Sequence, residues 1–281
     1  MATAGRKRVN KRIDKTATLA NALAYDKGNT KKYIDGAPHI KHASLRMLYG
    51  KLAVKVFDFA AQHTKVPKVL DLGAGEGSAT LTLLKLGAKV VAIDVSVSQL
   101  ETLHSRCKRF DDMLEIRCED IKDALKNKSE KYDIIVANSF LHHVPDYVAM
   151  LRGVVMHLNP YGQFISFQDP LRYDTVGKFT RFFSKVAYFS WRIFKGDLIN
   201  GLKRKLRRAH GVYLKDSIHD NAEYHVIRNG VDQNAIFELF KRQGIDCDII
   251  SYFSTQNSFF QTLGTFLGLK NTFAIIARKR K

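Results

Sequence analysis

Asp71-Leu72-Gly73-Ala74-Gly75-Glu76-Gly77 ends an apolar run in an acid and then sets glycine at every second position. A strand, a glycine turn and a helix start at Ser78 together let backbone approach a bound molecule and aim helix amides at it. Glycine is expected there because a Cβ would strike the ligand or forbid a positive φ. The spacing departs from the dinucleotide fingerprint G-x-G-x-x-G, since Ser78 stands in the last glycine place and Gly77 comes one early. Asp94 ends a second apolar run 23 positions beyond Asp71, where a carboxylate accepts the hydroxyls of an adenosine ribose. Glu119-Asp120-Ile121 follows a third run and Asn138 a fourth, with His142 and His143 just beyond. A histidine beside a reacting hydroxyl is a proton acceptor near neutral pH. His143 is the first candidate for that role and its neighbour His142 the second.

Taken together, D-x-G-x-G-x-G, "AID", "ED-I" and "NSFLHHVPD" occur in that order between residues 66 and 167. In that combination the chain resembles the class I S-adenosylmethionine-dependent methyltransferases. The resemblance implies S-adenosylmethionine as cofactor and S-adenosylhomocysteine as product. The cofactor would contact Asp71, Gly73, Ala74, Gly75, Gly77, Asp94, Val95, Glu119, Asp120, Ile121 and Asn138. It says little about the methyl acceptor.

Those residues need elements to carry them. Apolar strands over 69–72, 89–93, 114–118, 132–137 and 162–168 alternate with helices over 78–86, 97–109 and 146–157. Gly87 reads as a C-cap, and Asn159-Pro160-Tyr161-Gly162 as the turn launching the fifth strand. Such alternation predicts a doubly wound α/β fold, with ligands outside the carboxyl ends of the strands. A helix over 231–240 and strands over 247–253 and 272–277, with a short helix at 258–267, complete the pattern. The resemblance makes this a seven-stranded, mostly parallel sheet whose last strand is antiparallel. Ahead of it, Leu45, Leu48, Leu52, Val56 and Ala60 recur at helical spacing. The expected division is a basic tail and helical cap over 1–65, the cofactor-binding core over 66–170, an inserted helical lid over 171–225, and completing elements over 226–281.

The lid is set apart by composition. Residues 172–215 hold many Lys and Arg against the acids Asp174 and Asp197, interleaved with Phe179, Phe182, Phe183, Tyr188, Phe189, Trp191 and Phe194. A stretch of that length is too long for a simple connection. It reads as an anion clamp through Arg204, Arg207 and Arg208, as an interfacial helix, as a nucleic-acid surface, or as a solvated cover. Tyr25, Tyr33, His39 and His42 ahead of the core, and Tyr224 and His225 after the lid, are further candidates to touch the acceptor.

Composition bounds the rest. The chain has 281 residues, 45% of them hydrophobic, and a formal net charge of +19. That charge fits a phosphorylated or otherwise anionic acceptor, an anionic membrane surface or a nucleic acid. The six cations among residues 6–15 accompany no apolar segment, so they do not read as a secretory signal. No apolar run reaches the roughly 18 residues of a spanning helix. Three cysteines without ligand spacing fit reduced thiols, and the expected location is cytoplasmic, peripheral at a membrane where the basic segments engage one. No metal is expected: adjacent His142 and His143 do not share one ion comfortably, and no H-E-x-x-H is present. The reading taken forward is methyl transfer to a small-molecule or lipid-like acceptor, at oxygen in preference to nitrogen or carbon. An RNA methyltransferase and a non-catalytic accessory protein that binds the cofactor stay open as alternatives. Against the first, Asn138 is followed by Ser139 and Phe140 instead of the N-P-P-[YF] common among amino-methylating nucleic-acid enzymes of this fold.

Overall fold

A computed structural model of the chain describes residues 36–194 and 229–281. Seven strands form one sheet: β1 (Lys68–Leu72), β2 (Lys89–Asp94), β3 (Leu114–Cys118), β4 (Tyr132–Asn138), β5 (Leu158–Pro170), β6 (Ile245–Tyr252) and β7 (Thr272–Lys279). Their spatial order is β3-β2-β1-β4-β5-β7-β6. β1 to β5 pair in parallel, whereas β7 lies antiparallel between β5 and β6. This is the expected arrangement. The fifth strand begins earlier than expected, however, and takes in the turn at 159–162. Tyr161 there has φ 62, and the pairing with β4 shifts register between Tyr132 and Ile134.

Helices cover both faces because the central strands are apolar on both sides. On one face, Leu70, Leu72, Val91, Ile93 and Ile135 pack against α6 (Tyr147–His157) and α8 (Gln233–Arg242). On the other, Val69, Val90, Ile134 and Ile165 pack against α2 (Ala43–Ala61), α3 (Ser78–Leu86) and α4 (Val97–Cys107). α2 presents Leu45, Leu52, Val56 and Ala60 inward, as their spacing predicts, while Leu48 is only half-buried and Tyr49, outside the expected set, is buried. Short helical pieces not legible in the sequence are α1 (Pro38–Lys41), α5 (Ile121–Ala124) and 3-10 segments at Lys108–Met113 and Leu141–His143.

The strand ends are set by local chemistry. Gly87, at φ 97, closes α3 in the left-handed region, as expected of its C-cap. Side chains cap five following helices: Ser96 for α4, Asp120 for α5, Asp146 for α6, Asp232 for α8 and Asn257 for α9 (Ser258–Phe266). Ser96, Asp120 and Asp146 each follow the carboxyl end of a strand. The caps therefore fix the loops in which the candidate residues lie.

Of the expected lid, the described part is a 3-10 turn at Tyr173–Thr175 and α7 (Lys178–Phe194). α7 docks on α9 (Ser258–Phe266). Phe183 meets the rings of Phe253 and Phe260 at 5.7 and 5.3 Å, and Ser184 and Ser190 accept from the side-chain amides of Asn271 and Asn257. Arg204, Arg207, Arg208, Tyr224 and His225, like Tyr25 and Tyr33, lie outside the described residues.

Candidate active site

The carboxyl ends of β1 to β4 enclose a cavity of about 420 Å³. Gly73, Gly75, Asp94, Val95, Glu119, Asp120, Ile121, Asn138 and His143 line it, all of them expected at the site. Asp71, Ala74, Gly77 and His142 do not. None of the residues of α7 lines it either, so the described part of the expected lid stands away from this cavity.

The loop after β1 owes its shape to three glycines in the left-handed region: Gly73 at φ 69, Gly75 at φ 53 and Gly77 at φ 85. Two of them also answer to protein packing instead of to a ligand. A Cβ on Gly73 would lie 2.1 Å from the Phe140 ring, and one on Gly77 would lie 2.7 Å from Leu103. Asp94 ties the loop down. Its Oδ2 accepts from the Gly75 amide and its Oδ1 from the Ser96 amide, both at 2.9 Å. Glu76, buried between Arg106 and Ser78, holds the loop from the other side.

Asp71 is a correction to the expected contact set. It is fully buried, and its Oδ2 accepts from Thr80 Oγ1 at 2.6 Å, so it braces the start of α3 from beneath the loop. Burial lifts its carboxyl to about 6. Asp120 lines the cavity and also caps α5 through the Lys122 amide at 2.8 Å.

Four carboxylates, Asp94, Glu119, Asp120 and Asp146, face the cavity against one lysine, Lys122. Such a wall suits a molecule rich in hydroxyl donors and positive charge, and it repels a pyrophosphate. Asn138 Oδ1 is buried at the wall and makes no hydrogen bond among the described residues, an acceptor placed for a donor of a bound molecule. Phe140, Leu125, Val144 and Met150 add an apolar side. Sequence reasoning missed these four. Phe140 and Val144 stand inside the quoted "NSFLHHVPD" stretch, whereas Leu125 and Met150 reach the wall only through the packing of α5 and α6. The residues present fit S-adenosylmethionine: carboxylates for ribose hydroxyls and for ammonium and sulfonium charge, and an apolar side for a purine.

Behind the wall lies a second polar group. Asp169, near the end of β5, is fully buried; its Oδ1 accepts from the His142 backbone amide at 3.2 Å and contacts His142 Nδ1 at 2.8 Å. The His142 and His143 rings lie 4.1 Å apart. Burial pushes Asp169 up to about 8 and His142 down to about 4. His39, on α1, is buried near His142 and is likewise lowered to about 4, first by burial and then by His142. His42 is anchored to the Thr255 carbonyl at 2.8 Å, and burial lowers it too. His42 thus ties the N-terminal helices to the segment after β6, His39 is buried beside His142, and neither lines the cavity. Among the described residues no group of three or more His, Cys, Asp or Glu is arranged to hold a metal ion.

Comparison with known proteins agrees with this geometry. Residues 70–164 match a family model described as a methyltransferase domain. A ubiquinone biosynthesis O-methyltransferase of Xanthomonas campestris pv. campestris is 30% identical over 112 residues, which are 37% of this chain and 45% of that protein. A cypemycin N-terminal methyltransferase of a Streptomyces species is 33% identical over 112 residues, 39% of this chain and 45% of that protein. The chain thus spans less than half the length of these curated relatives. Among solved structures, the plantazolicin methyltransferase BpumL in complex with SAH superposes with a TM-score of 0.53 at 15% identity, covering 98% of this chain and 99% of that one. Magnesium protoporphyrin IX methyltransferase (ChlM) from Synechocystis PCC 6803 with bound SAM gives 0.52 at 12% identity over 94% and 97%. At such identities these two speak for the fold. Residues 70–164 thus match a methyltransferase domain, the sheet order is that of the fold shared with these two solved structures, and the chemistry of the cavity fits S-adenosylmethionine.

Proposed function

We propose that the protein methylates a hydroxyl of a small-molecule or lipid-like acceptor of anionic character, reached at the edge of the sheet where His143 stands. The observation that carries the reading is the position of His143 in the same cavity wall as Gly73, Asp94 and Asn138. Bound S-adenosylmethionine supplies an electrophilic methyl group on a sulfonium. Asp94 would accept from its ribose hydroxyls with the lone pairs left over from Gly75 and Ser96, and Asn138 Oδ1 from one of its donors. His143 would take the proton of the acceptor hydroxyl. His142 would serve as a positioning residue: its contact with Asp169 fixes the turn at 141–143 and so the direction of the neighbouring ring. Oxygen as the acceptor atom is supported by the name of the Xanthomonas relative, and an anionic acceptor by the net charge of +19.

The test is incubation of the protein with methyl-labelled cofactor and with aqueous, lipid and RNA fractions, followed by mass spectrometry of whatever gains the label. The expected outcome is an O-methyl product in a small-molecule or lipid fraction. Replacing His143 by Gln is expected to lower kcat by about 10²-fold or more with little change in cofactor affinity. Label on RNA or on nitrogen would overturn the acceptor assignment, and full activity in His143→Gln would remove the base.

A further inference from the structure

The exposed face of α7 and α9 carries a pattern that the methyl-transfer site does not use. α7 has three stripes. Phe183, Ser184, Ala187 and Ser190 form the packed one, with Ala187 fully buried and both serines hydrogen-bonded, so the helix is seated by its intended side. Beside it, Phe179, Phe182, Val186 and Ile193 recur at helical spacing and are 61, 66, 38 and 57% exposed. Beyond that stripe run Lys178, Arg181, Lys185 and Arg192, and Lys178–Phe194 contains no acid. α9 extends the apolar stripe with Phe259 and Phe266, 69 and 85% exposed, and carries no charged residue. The rings of Phe179, Phe183, Phe260 and Phe259 follow one another at 6.1, 5.3 and 5.5 Å, which joins the two helices into one aromatic surface.

We propose that this face docks on an anionic lipid surface, the aromatic stripe entering the headgroup region while the cations meet lipid phosphates. A contiguous apolar patch edged by cations is what an interfacial helix needs, and a freely solvated face would not maintain it. A second copy of this chain is the poorer occupant. A two-fold contact through the same face would bring two rows of Lys and Arg together without acids on α7 or α9 to meet them. The occupant that complements both stripes offers hydrocarbon and negative charge side by side. α7 follows the carboxyl end of β5 and α9 that of β6, so the face lies along the sheet edge that also holds the cavity. The functional sense of that placement rests on the lipid-like acceptor proposed above. Binding to the surface itself is measured without turnover, so either idea fails separately.

The test is flotation of the full chain with phosphatidylcholine vesicles, with and without phosphatidylglycerol. Flotation is expected only with the anionic lipid, and raised salt should weaken it. Combining Phe179→Ser, Phe182→Ser and Phe259→Ser keeps every charge and should cut vesicle binding about tenfold or more. Combining Lys178→Gln, Arg181→Gln and Lys185→Gln, all exposed, should do the same without touching the packed stripe. Calorimetric cofactor affinity should stay unchanged in both variants, which shows that each is folded. Trp191, the single tryptophan of the chain, lies on α7, so quenching of its emission by brominated lipid should accompany binding. Failure of the wild-type protein to float would overturn the proposal, as would flotation undiminished in the charge-retaining variant, which would point to the basic N-terminal segment. Sedimentation showing a wild-type dimer that the aromatic substitutions break would also overturn it, making the face an interface between copies.

Discussion

At the scale of single residues, Asp94 and Gly73 separate ligand binding from loop construction. Both Asp94 oxygens already accept backbone amides, so its removal loosens the loop as well as taking away an acceptor for the ribose. Asp94→Ala is expected to weaken S-adenosylmethionine binding by about 2–4 kcal/mol, roughly 30- to 700-fold, since charge-assisted hydrogen bonds are worth ~1.5–3 kcal/mol each and add incompletely. Isothermal calorimetry on the folded variant measures it, and unchanged affinity would take Asp94 out of the site. Gly73→Ala acts differently. A Cβ there meets Phe140 at 2.1 Å with φ held at 69, so the ring must leave the cavity wall. The positive φ expected of this position is present, but the sequence did not show that a Cβ would also strike a side chain of the protein. Its neighbour proved to be Phe140, 67 positions along the chain and brought there only by the β1–β4 pairing. Asp71 misled for a related reason. In a strand buried on both faces no alternation tells which way a side chain turns, and Asp71 turns toward Thr80.

At the scale of elements, what was legible followed from local pattern. Runs such as Val90-Val91-Ala92-Ile93 and Ile134-Ile135-Val136 are apolar without a break, the mark of central parallel strands, whereas β3 (Leu114-Glu115-Ile116-Arg117-Cys118) and the start of β6 (Ile245-Asp246-Cys247-Asp248) alternate, as strands at the sheet edges do. Contacts between elements distant in sequence were not legible: the docking of α7 on α9, or Asp169 against His142 across 27 positions. The α7–α9 contact makes an unusual glycine prediction. Gly264 lies inside α9, where Ala would normally favour the helix by about 1 kcal/mol. A Cβ there would sit 2.3 Å from the Phe253 ring, and that ring is buried and backed by Phe183. Overpacking costs about 1–3 kcal/mol, so Gly264→Ala should lower the melting temperature despite its better propensity. A raised Tm would mean that Phe253 moves freely and that α7 is not held through it.

At the scale of the whole molecule, four buried titratable groups at the carboxyl edge of the sheet set how stability responds to pH. Burial raises Asp71 to about 6 and Asp169 to about 8 from an ordinary 3.8, and lowers His39 and His142 to about 4 from 6.5. The folded carboxyls keep protons that the unfolded chain releases, so their contribution to stability falls as pH rises from about 4 through the folded values. The folded imidazoles refuse protons that the unfolded chain takes below 6.5, so theirs falls as pH drops from 6.5 to about 4. Below pH 6 the two trends oppose each other. Above about pH 7 both histidines are mostly neutral in either state and Asp71 is mostly ionised in both, so of the four Asp169 differs most as pH rises to 8. Stability should therefore decline across that window, by at most about 1.4 kcal/mol per pH unit for a single proton. Asp169→Asn keeps an acceptor for the His142 amide and removes the titration, so its urea-unfolding free energy should lose that part of the slope. Because every other ionisable group is common to the two proteins, the difference between their stability curves isolates Asp169. Parallel curves from pH 6.5 to 8 would show that Asp169 is already ionised in the folded protein, with His142 Nδ1–H donating to a carboxylate. A difference that grows steadily with pH would show the carboxyl holding its proton at neutrality, leaving the His142 ring neutral beside His143.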